Sequence, residues 1–373
     1  MPGRQFEAAD ERGTHWWSWQ MRAYLHGSGP ASRGRPFTSL VERDVRGTRI
    51  CDKHFMGTLL VAGAGGHLAE MRALRDRFTG VDGDMAWVTW PTSEASSLLE
   101  CEKVYLAAYP PPRNLPVALS NARFAYGILR TSEWRDIVTT GSSLAVSFLA
   151  VGRALGYRCH FVESATRTSG PSLAGRLLER VPGVALYTQC LGWRSRSWAY
   201  EGSVFDGFCA ERSASQPIEK VVVTLGSTPR YGFRRLVEAL ARLLPPGASV
   251  LWQTGPTDVA GLGIDASAFV SANRLRAAIS EADLVVAHAG VGSALEALSA
   301  GRCPVLVPRR KAFGEHVDDH QSDIAAELAG RGLCIAREAD ELSEADLLDA
   351  AARTVRPPAE ARPFRLRGAR DSA

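Results

Sequence analysis

Within its 373 residues the sequence has no apolar run near the roughly 18–20 residues that a membrane-crossing helix needs. The longest stretch, 143–155, is short and carries Arg153. A soluble or peripheral protein is the expectation, and the N-terminus lacks the charged, apolar and small-residue pattern of a secretory leader. The seven cysteines (Cys51, Cys101, Cys159, Cys190, Cys209, Cys303, Cys334) are scattered, odd in number and free of C-x-x-C spacing. That argues against a disulfide framework and a zinc site, and fits a reducing cytoplasm. Excess charge is scarce too. The formal net charge is only +4, with no long Lys/Arg run and no basic stripe interleaved with aromatics, so nucleic acid is not indicated as a partner.

What is present is ordinary globular material, 45% hydrophobic and 23% charged, long enough for two domains. Residues 1–55 mix Gly, Arg, Pro and Ser with Trp16 and Trp17 and read as a flexible extension. An amphipathic stretch over 16–24 fits local packing better than a membrane surface. From residue 56 buried strand patterns alternate with helical spacing: strands near 57–63, 85–90, 136–139 and 158–163, helices near 68–78, 115–130 and 143–155. A second series follows, with strands near 220–225, 249–254, 283–288 and 304–308 and helices near 231–244, 275–282 and 293–300. The expectation is an α/β protein of two tandem Rossmann-like, doubly wound parallel sheets facing a cleft. Their bounds are 56–190 and 219–355, with a linker over 191–218 and a disordered tail over 356–373.

Several strand ends carry chemistry. In Gly63-Ala64-Gly65-Gly66-His67-Leu68, glycines let the backbone approach a ligand, and free amides at a helix start favour anions. A dinucleotide site fits poorly. The third glycine of G-x-G-x-x-G falls on Leu68, and the next strand ends on Trp90-Pro91-Thr92 without an acid for a ribose. His67 is placed to take a proton; the plainer alternative is a helix-start histidine bonded to backbone. In His288-Ala289-Gly290-Val291-Gly292-Ser293, a glycine turn precedes a helix, and Glu296, one turn in, can accept from both ribose hydroxyls. Ser293-x-x-Glu296 is also the spacing of a capping box. A third segment joins Arg309-Arg310-Lys311 to Glu315-His316-Val317-Asp318-Asp319-His320-Gln321. Its polar groups suit sugar hydroxyls and its cations a phosphate or a carboxylate on the sugar. His316 and His320 stand at i and i+4, but the Glu of H-E-x-x-H is missing and no third metal ligand is evident. A fourth, Thr224-Leu225-Gly226-Ser227-Thr228 with Arg230 close by, suits phosphate oxygens or is a plain strand-to-helix turn.

Together these residues resemble a known family. His288 to Glu296, Pro308-Arg309 and Glu315-His316-x-x-x-His320-Gln321 resemble the C-terminal domain of glycosyltransferase family 28, especially the catalytic subunit of the two-subunit N-acetylglucosaminyltransferase that extends lipid-linked oligosaccharides. Gly63-Ala-Gly-Gly66-His67-Leu-x-Glu70-Met71, with Phe161-Val162-Glu163-Ser164-x-x-Arg167 and Ser172-Leu-x-Gly175-Arg176-Leu177-Leu178, resembles its partner subunit, which receives the acceptor. The two would be fused here. Tyr200-Glu-Gly202-Ser203-Val204-Phe205-Asp206 is similar to bacterial exopolysaccharide glucuronosyltransferases built on the same pair.

The resemblance covers roughly residues 57–340 and implies a GT-B fold and inverting transfer from a UDP-sugar to a lipid-linked glycan, without an obligatory metal or other cofactor. It implies that Glu296 holds the ribose, that Gly226, Ser227, His288, Gly290, Gly292 and Ser293 line the diphosphate, and that His320 and Gln321 read the sugar. Gly65 and Gly66 would form the acceptor-side phosphate loop. His67 or Glu163 would be the base, Glu163 having as its alternative a pairing with Arg167. The cations at 309–311 make UDP-glucuronate the first donor to consider and UDP-N-acetylglucosamine the next. The partner subunit's N-terminal membrane helix has no counterpart, so contact with the inner face of the membrane would fall to the helix near 115–129 with Arg113, Arg123 and Arg130; an ordinary core helix is the equal alternative. Two rivals remain: a UDP-sugar epimerase of the same fold, and a nucleotide-sugar-binding protein without turnover.

Overall fold

The computed structural model describes residues 57–81, 83–109, 115–131, 134–213, 217–226, 230–360 and 362–367. The expected extension, its stretch over 16–24, Cys51, Arg113, Ser227 and the end of the tail lie outside them.

Strands β1 (Gly57–Val61), β2 (Phe78–Thr79), β3 (Asp84–Thr89), β4 (Val104–Leu106), β5 (Trp134–Thr139), β6 (Arg158–Val162), β7 (Val184–Thr188) and β8 (Trp198–Tyr200) belong to the N-terminal domain. Seven of them form a sheet in the order β4-β3-β1-β5-β6-β7-β8, parallel throughout. β1 is buried along its whole length, as a strand covered by helices on both faces must be. The covering helices are α1 (Gly66–Arg75), α2 (Ser93–Leu98), α3 (Leu115–Thr131), α4 (Ser143–Ala154) and α5 (Leu173–Leu178). The apolar stretch near 143–155 is α4, which buries Leu144, Phe148 and Leu149; no helix among the described residues is long and apolar enough to cross a membrane.

Beyond β9 (Cys209–Arg212), the C-terminal sheet uses β10 (Lys220–Thr224), β11 (Ser249–Gln253), β12 (Ala266–Ser267), β13 (Leu284–His288), β14 (Val305–Val307) and β15 (Ile335–Ala336), in the order β12-β11-β10-β13-β14-β15. It is also parallel. Its helices are α6 (Arg234–Leu243), α7 (Ala272–Glu281), α8 (Val291–Ser299), α9 (His320–Gly330) and α10 (Glu344–Ala351). The fold is thus α/β with two doubly wound Rossmann-like domains, as expected. Each chain path reverses beside its first strand, between β1 and β5 and between β10 and β13. A crevice opens beyond the carboxyl ends of the strands at such a reversal, so the topology puts a ligand site there in each domain.

The domains share a core. Leu68, Met71 and Leu74 of α1 belong to one buried cluster with Val291, Ala294 and Leu295 of α8. Glycine matters here: a Cβ on Gly292 would stand 3.4 Å from the Ala69 Cβ and 3.9 Å from the Gly66 Cα, so α8 lies directly on α1. Nearby, the Ala272 N–H donates to Ser97 Oγ at 3.0 Å, tying α7 to α2.

Two connecting segments differ from the sequence reading. Of the expected linker over 191–218, β8 joins the first sheet beside β7, while β9 pairs antiparallel with β16 (Arg353–Arg356) of the C-terminal half. Irregular composition concealed strands that are only three or four residues long. Of the expected disordered tail, residues 356–360 and 362–367 are ordered. It returns to the N-terminal domain, where β17 (Phe364–Arg365) pairs with β2 and Phe364 is fully buried against Phe78 and Tyr187. One large aromatic and a run of backbone bonds offset the ordering entropy that the Pro/Arg-rich composition suggested could not be met.

This strap is latched by a buried polar chain. Asp136 accepts from Arg158 Nη2 at 2.5 Å and lies 3.0 Å from His160 Nε2. Burial pushes the Asp136 carboxyl upward, but the bonds from His160 and Arg158 outweigh it and hold it below the usual carboxylate range. An ionised carboxylate can only accept, so His160 carries its proton on Nε2 and its Nδ1 accepts from the Tyr187 hydroxyl at 3.1 Å. The same hydroxyl oxygen accepts from the Arg367 N–H at 2.7 Å. Tyr187→Phe leaves both partners short of a bond, at a cost of about 1–3 kcal/mol. Amide exchange at 364–367 should accelerate more than in β1; equal protection in both proteins would remove the latch.

Candidate functional site

At the N-terminal reversal, Gly65 adopts φ 89° and caps α1 without a side chain, which leaves amides at the helix start free for an anion. His67 stands in the first turn. Its Nδ1 lies 2.8 Å from the Thr140 carbonyl oxygen, and the Thr140 hydroxyl donates to the His67 carbonyl at 2.7 Å, joining the ends of β1 and β5. A carbonyl only accepts, so the proton sits on Nδ1 and the lone pair of Nε2 is available. Gly141, with φ 119°, makes room for the ring: a Cβ there would come within 2.7 Å of His67 Cε1. Burial lowers the imidazole pKa to about 4 despite the Thr140 bond, helped by Arg167 and His320, so it is neutral at physiological pH. The plainer reading, a histidine bonded to backbone, describes Nδ1 alone.

Glu163, the other candidate base, is placed differently from expectation. It is 1% exposed; its Oε2 accepts from the Ser172 N–H at 2.8 Å and its Oε1 from the Ser164 N–H at 3.3 Å, while Gly175 closes over Oε2. Both oxygens accept from amides of the loop between β6 and α5, whereas His67 keeps a ring nitrogen without such a bond and is the better-placed base candidate. Sequence reasoning also assigned no role to Glu70. This buried residue accepts from Ser164 Oγ at 2.5 Å, the Ala165 N–H at 3.2 Å and Gln189 Nε2 at 2.8 Å, and burial raises its carboxyl to about 7. It fixes α1, and with it His67, against the loops after β6 and β7.

The C-terminal reversal is built around His288. Its ring lies between two glycines: a Cβ on Gly226 would fall 2.5 Å from Nε2, and one on Gly290 2.1 Å from Cε1. These glycines serve the imidazole first, whereas the sequence reading gave them to a diphosphate. Ser293 Oγ is 3.4 Å from His288 Nε2. Helix α8 starts at Val291 with Gly290 as its cap and no side-chain capping bond, so Ser293 and Glu296 do not make a capping box. The amides opening α8 are therefore available to an anion. Glu296 takes no hydrogen bond among the described residues. Burial raises its carboxyl to about 7, with Glu94 adding to the shift and Arg276 and Arg72 opposing it.

The loop between β14 and α9 supplies the third wall. His316 Nδ1 is 3.1 Å from Asp318 Oδ1, His320 Nδ1 contacts the same oxygen, and the two rings meet edge to face at 4.8 Å. Asp318 is the third metal-type ligand that the sequence pattern did not reveal, its oxygen and the ring nitrogens lying within 4.8 Å of one another. Gln321 is buried, and its Oε1 accepts from the Arg309 N–H at 3.0 Å, leaving its amide NH2. Two of the three cations expected to meet a uronate, Arg309 and Arg310, are engaged elsewhere. Arg309 is buried on backbone carbonyls, and Arg310 is held by Glu338 and Ser322. His320 contributes to the lowered pKa of His67, of His288 and of His316, so the loop stands close to both reversals.

Residues 220–363 match the family model of the glycosyltransferase family 28 C-terminal domain. The UDP-N-acetylglucosamine--N-acetylmuramyl-(pentapeptide) pyrophosphoryl-undecaprenol N-acetylglucosamine transferase of Ralstonia nicotianae is 32% identical over 159 residues, spanning 39% of this chain and only 42% of that relative. The protein of the same name from Nitrosococcus oceani is 25% identical over 325 residues, 78% of this chain and 86% of its own length. Among solved structures, Acinetobacter baumannii MurG aligns with a TM-score of 0.51 at 20% identity, covering 79% of this chain and 88% of that one, a likeness of fold.

Proposed function

We propose that this GT-B glycosyltransferase, whose residues 220–363 are of the family 28 C-terminal type, moves a sugar with inversion from a UDP-sugar to a polyprenyl-diphosphate-linked glycan. The observation that carries the reading is His67, locked with Nε2 unprotonated, across a closed interface from an uncapped helix start and the unbonded Glu296. In the reaction, Nε2 takes the proton of an acceptor hydroxyl as its oxygen attacks the anomeric carbon. The bond from that carbon to the diphosphate breaks on the opposite face, and its electron pair leaves on UDP, received by the amides opening α8. Glu296 accepts from the ribose, and His320 and the Gln321 amide read the sugar. Arg167, which forms no ion pair among the described residues, and the start of α1 suit the acceptor's diphosphate. UDP release from UDP-sugars with lipid-linked acceptors tests the reading; conversion of the donor without acceptor would make the chain an epimerase, and no UDP binding would end both.

With Arg309 and Arg310 engaged, the charge argument for glucuronate weakens, and the names of the curated relatives support N-acetylglucosamine as the first donor to test. Preference for UDP-glucuronate in a donor screen would restore it. We hold that acceptor and donor functions, divided between two subunits elsewhere, are joined here for a cell-surface polysaccharide. Transfer is metal-independent in this reading, since Asp318 orients His320 rather than sharing a cation with it. EDTA should leave turnover within about twofold, whereas Zn²⁺-dependent recovery after chelation would hand His316, Asp318 and His320 to a metal.

Membrane contact rests on α3. Its inner face buries Ala125, Ile128 and Leu129, while Leu119 and Tyr126 are 66% and 46% exposed on one stripe with Arg123 and Arg130. That pattern suits the interface of an anionic bilayer. Leu119→Glu with Tyr126→Glu should reduce flotation with anionic vesicles, and unchanged flotation would exclude this helix.

A further inference from the structure

Trp90 follows the last residue of β3 and stands beside the glycine turn that opens α1. Its ring fills the space that a side chain on Gly63 would need: a Cβ there would fall 2.3 Å from Trp90 Cη2 and 2.9 Å from Cζ2. Ser142 closes the same niche from beyond β5, its Cβ lying 3.0 Å from that point. Ser142 is held at φ 72° and ψ 171°, a region almost exclusive to glycine, and it is the only non-glycine with positive φ among the described residues. Such a conformation costs about 1–3 kcal/mol and persists where the surroundings impose it. The next residue back, Gly141, yields its own space to the His67 ring. Trp90 and His67 therefore approach the crevice at adjacent points, one through the niche shared with Ser142 and the other over Gly141.

The indole is half-buried, packed on one side against the cluster built by α3 and α4. Tyr109, 50% exposed, meets it edge to face with centroids 5.2 Å apart. Helix α3 holds this pair in place. The Asn121 side chain accepts from the Ala108 N–H at 3.2 Å and donates to the Ala108 carbonyl at 3.0 Å, which fixes the backbone leading into Tyr109. A run of contacts thus leads from α3, the helix assigned to the bilayer, through Tyr109 and Trp90 to the turn that carries His67. An acceptor anchored in that bilayer has to bring its sugar along this run to offer a hydroxyl to His67 Nε2. The C–H hydrogens on one face of a pyranose are made positive by the neighbouring oxygens, and the face of an aromatic ring is negative, so the two surfaces match in charge as well as in flatness.

We propose that Trp90, braced by Tyr109 and Ser142, is the platform on which the pyranose of the acceptor stacks, and that it turns the attacking hydroxyl towards His67. The inference rests on the reading of the β1–β5 reversal as the acceptor site.

Calorimetry with farnesyl diphosphate, and with the same diphosphate esterified to N-acetylglucosamine, separates the sugar from the lipid and the charge. Wild type should bind the sugar-bearing compound more tightly. Trp90→Leu keeps apolar bulk without a ring face; it should weaken the sugar-bearing compound about tenfold and the bare diphosphate less than about twofold, while Trp90→Phe stays within about threefold of wild type for both. UDP affinity should not move in either variant, since Trp90 belongs to the other domain. Equal loss of both compounds in Trp90→Leu would give the ring to the prenyl chain or to packing, and unchanged binding of the sugar-bearing compound would leave it a wall of the niche; either result overturns the proposal, as does equal wild-type affinity for the two compounds. If Trp90→Leu does not fold, wild type decides by nuclear magnetic resonance: saturation of aromatic protons should pass to the pyranose C–H protons of the bound compound more than to its isoprene methyls, and the reverse order overturns the proposal. Failure of wild type to bind either compound would remove the acceptor reading and this inference with it, whereas sugar binding that survives Trp90→Leu defeats this inference alone.

Discussion

His67→Ala is expected to lower kcat by about two to four orders of magnitude, the usual contribution of a positioned general base, while leaving UDP affinity within about threefold. The split follows from where the residue sits. Its ring is held by Thr140 at the N-terminal reversal, whereas the groups proposed for the nucleotide lie on β10, β13 and α8 of the other domain. His67→Gln sharpens the test. A glutamine amide can still donate to the Thr140 carbonyl and fill much of the space, but it cannot take a proton. If His67 only braces the loop, His67→Gln will retain most of the turnover; if it is the base, His67→Gln will be as slow as His67→Ala. Acetic or imidazole buffers that partly rescue the alanine variant would add weight, and unchanged kcat in both variants would take His67 out of the reaction. A shift in UDP affinity equal to the loss in kcat would point to a collapsed cleft.

The contrast between His67 and Glu163 shows what was legible in the sequence. Buried strands ending in glycine are a local signal, and Gly63 to Gly66, Gly226 and Gly290 fall at the reversals because a parallel sheet places its strand ends there. Residue type and strand end gave Glu163 the same standing as His67. Only the path of the chain from β6 into α5 shows that the Ser172 and Ser164 amides each engage one oxygen of its carboxylate. Arg309 was hidden for a similar reason, since a cation after a strand end looks alike whether it meets a ligand or is buried on backbone carbonyls. Asp318 escaped because the H-E-x-x-H template looks between the histidines for a catalytic Glu, not for a third ligand at i+2. The β17 strap was illegible because two residues carry no period, and what orders it, Phe364 against Phe78 and Tyr187, is contact between distant parts of the chain.

Binding of UDP-N-acetylglucosamine should strengthen as pH rises through about 7, and Glu296→Gln should abolish that dependence while weakening binding about 10- to 100-fold, the range for hydrogen bonds to a charged acceptor. The sign follows from the direction of the shift. Burial, with Glu94 adding to it, raises the Glu296 carboxyl to about 7 against the opposing pull of Arg276 and Arg72. Below that value the carboxyl is protonated and can offer a ribose diol only part of its accepting capacity; above it, both oxygens accept. For the unliganded fold the same shift runs the other way. Its contribution to stability is fully present below the ordinary glutamate pKa and is lost as pH rises through about 7, so ligand binding and stability should respond oppositely over that window. A nucleotide sugar is the right probe because its diphosphate is esterified at both ends and does not titrate near neutrality. His67 cannot produce this limb, since its imidazole is already neutral above about 4. Glu70, also near 7, is enclosed by Ser164, Ala165 and Gln189, and Glu296→Gln leaves it in place, so a limb that survives the substitution belongs to Glu70 and removes Glu296 from the ribose.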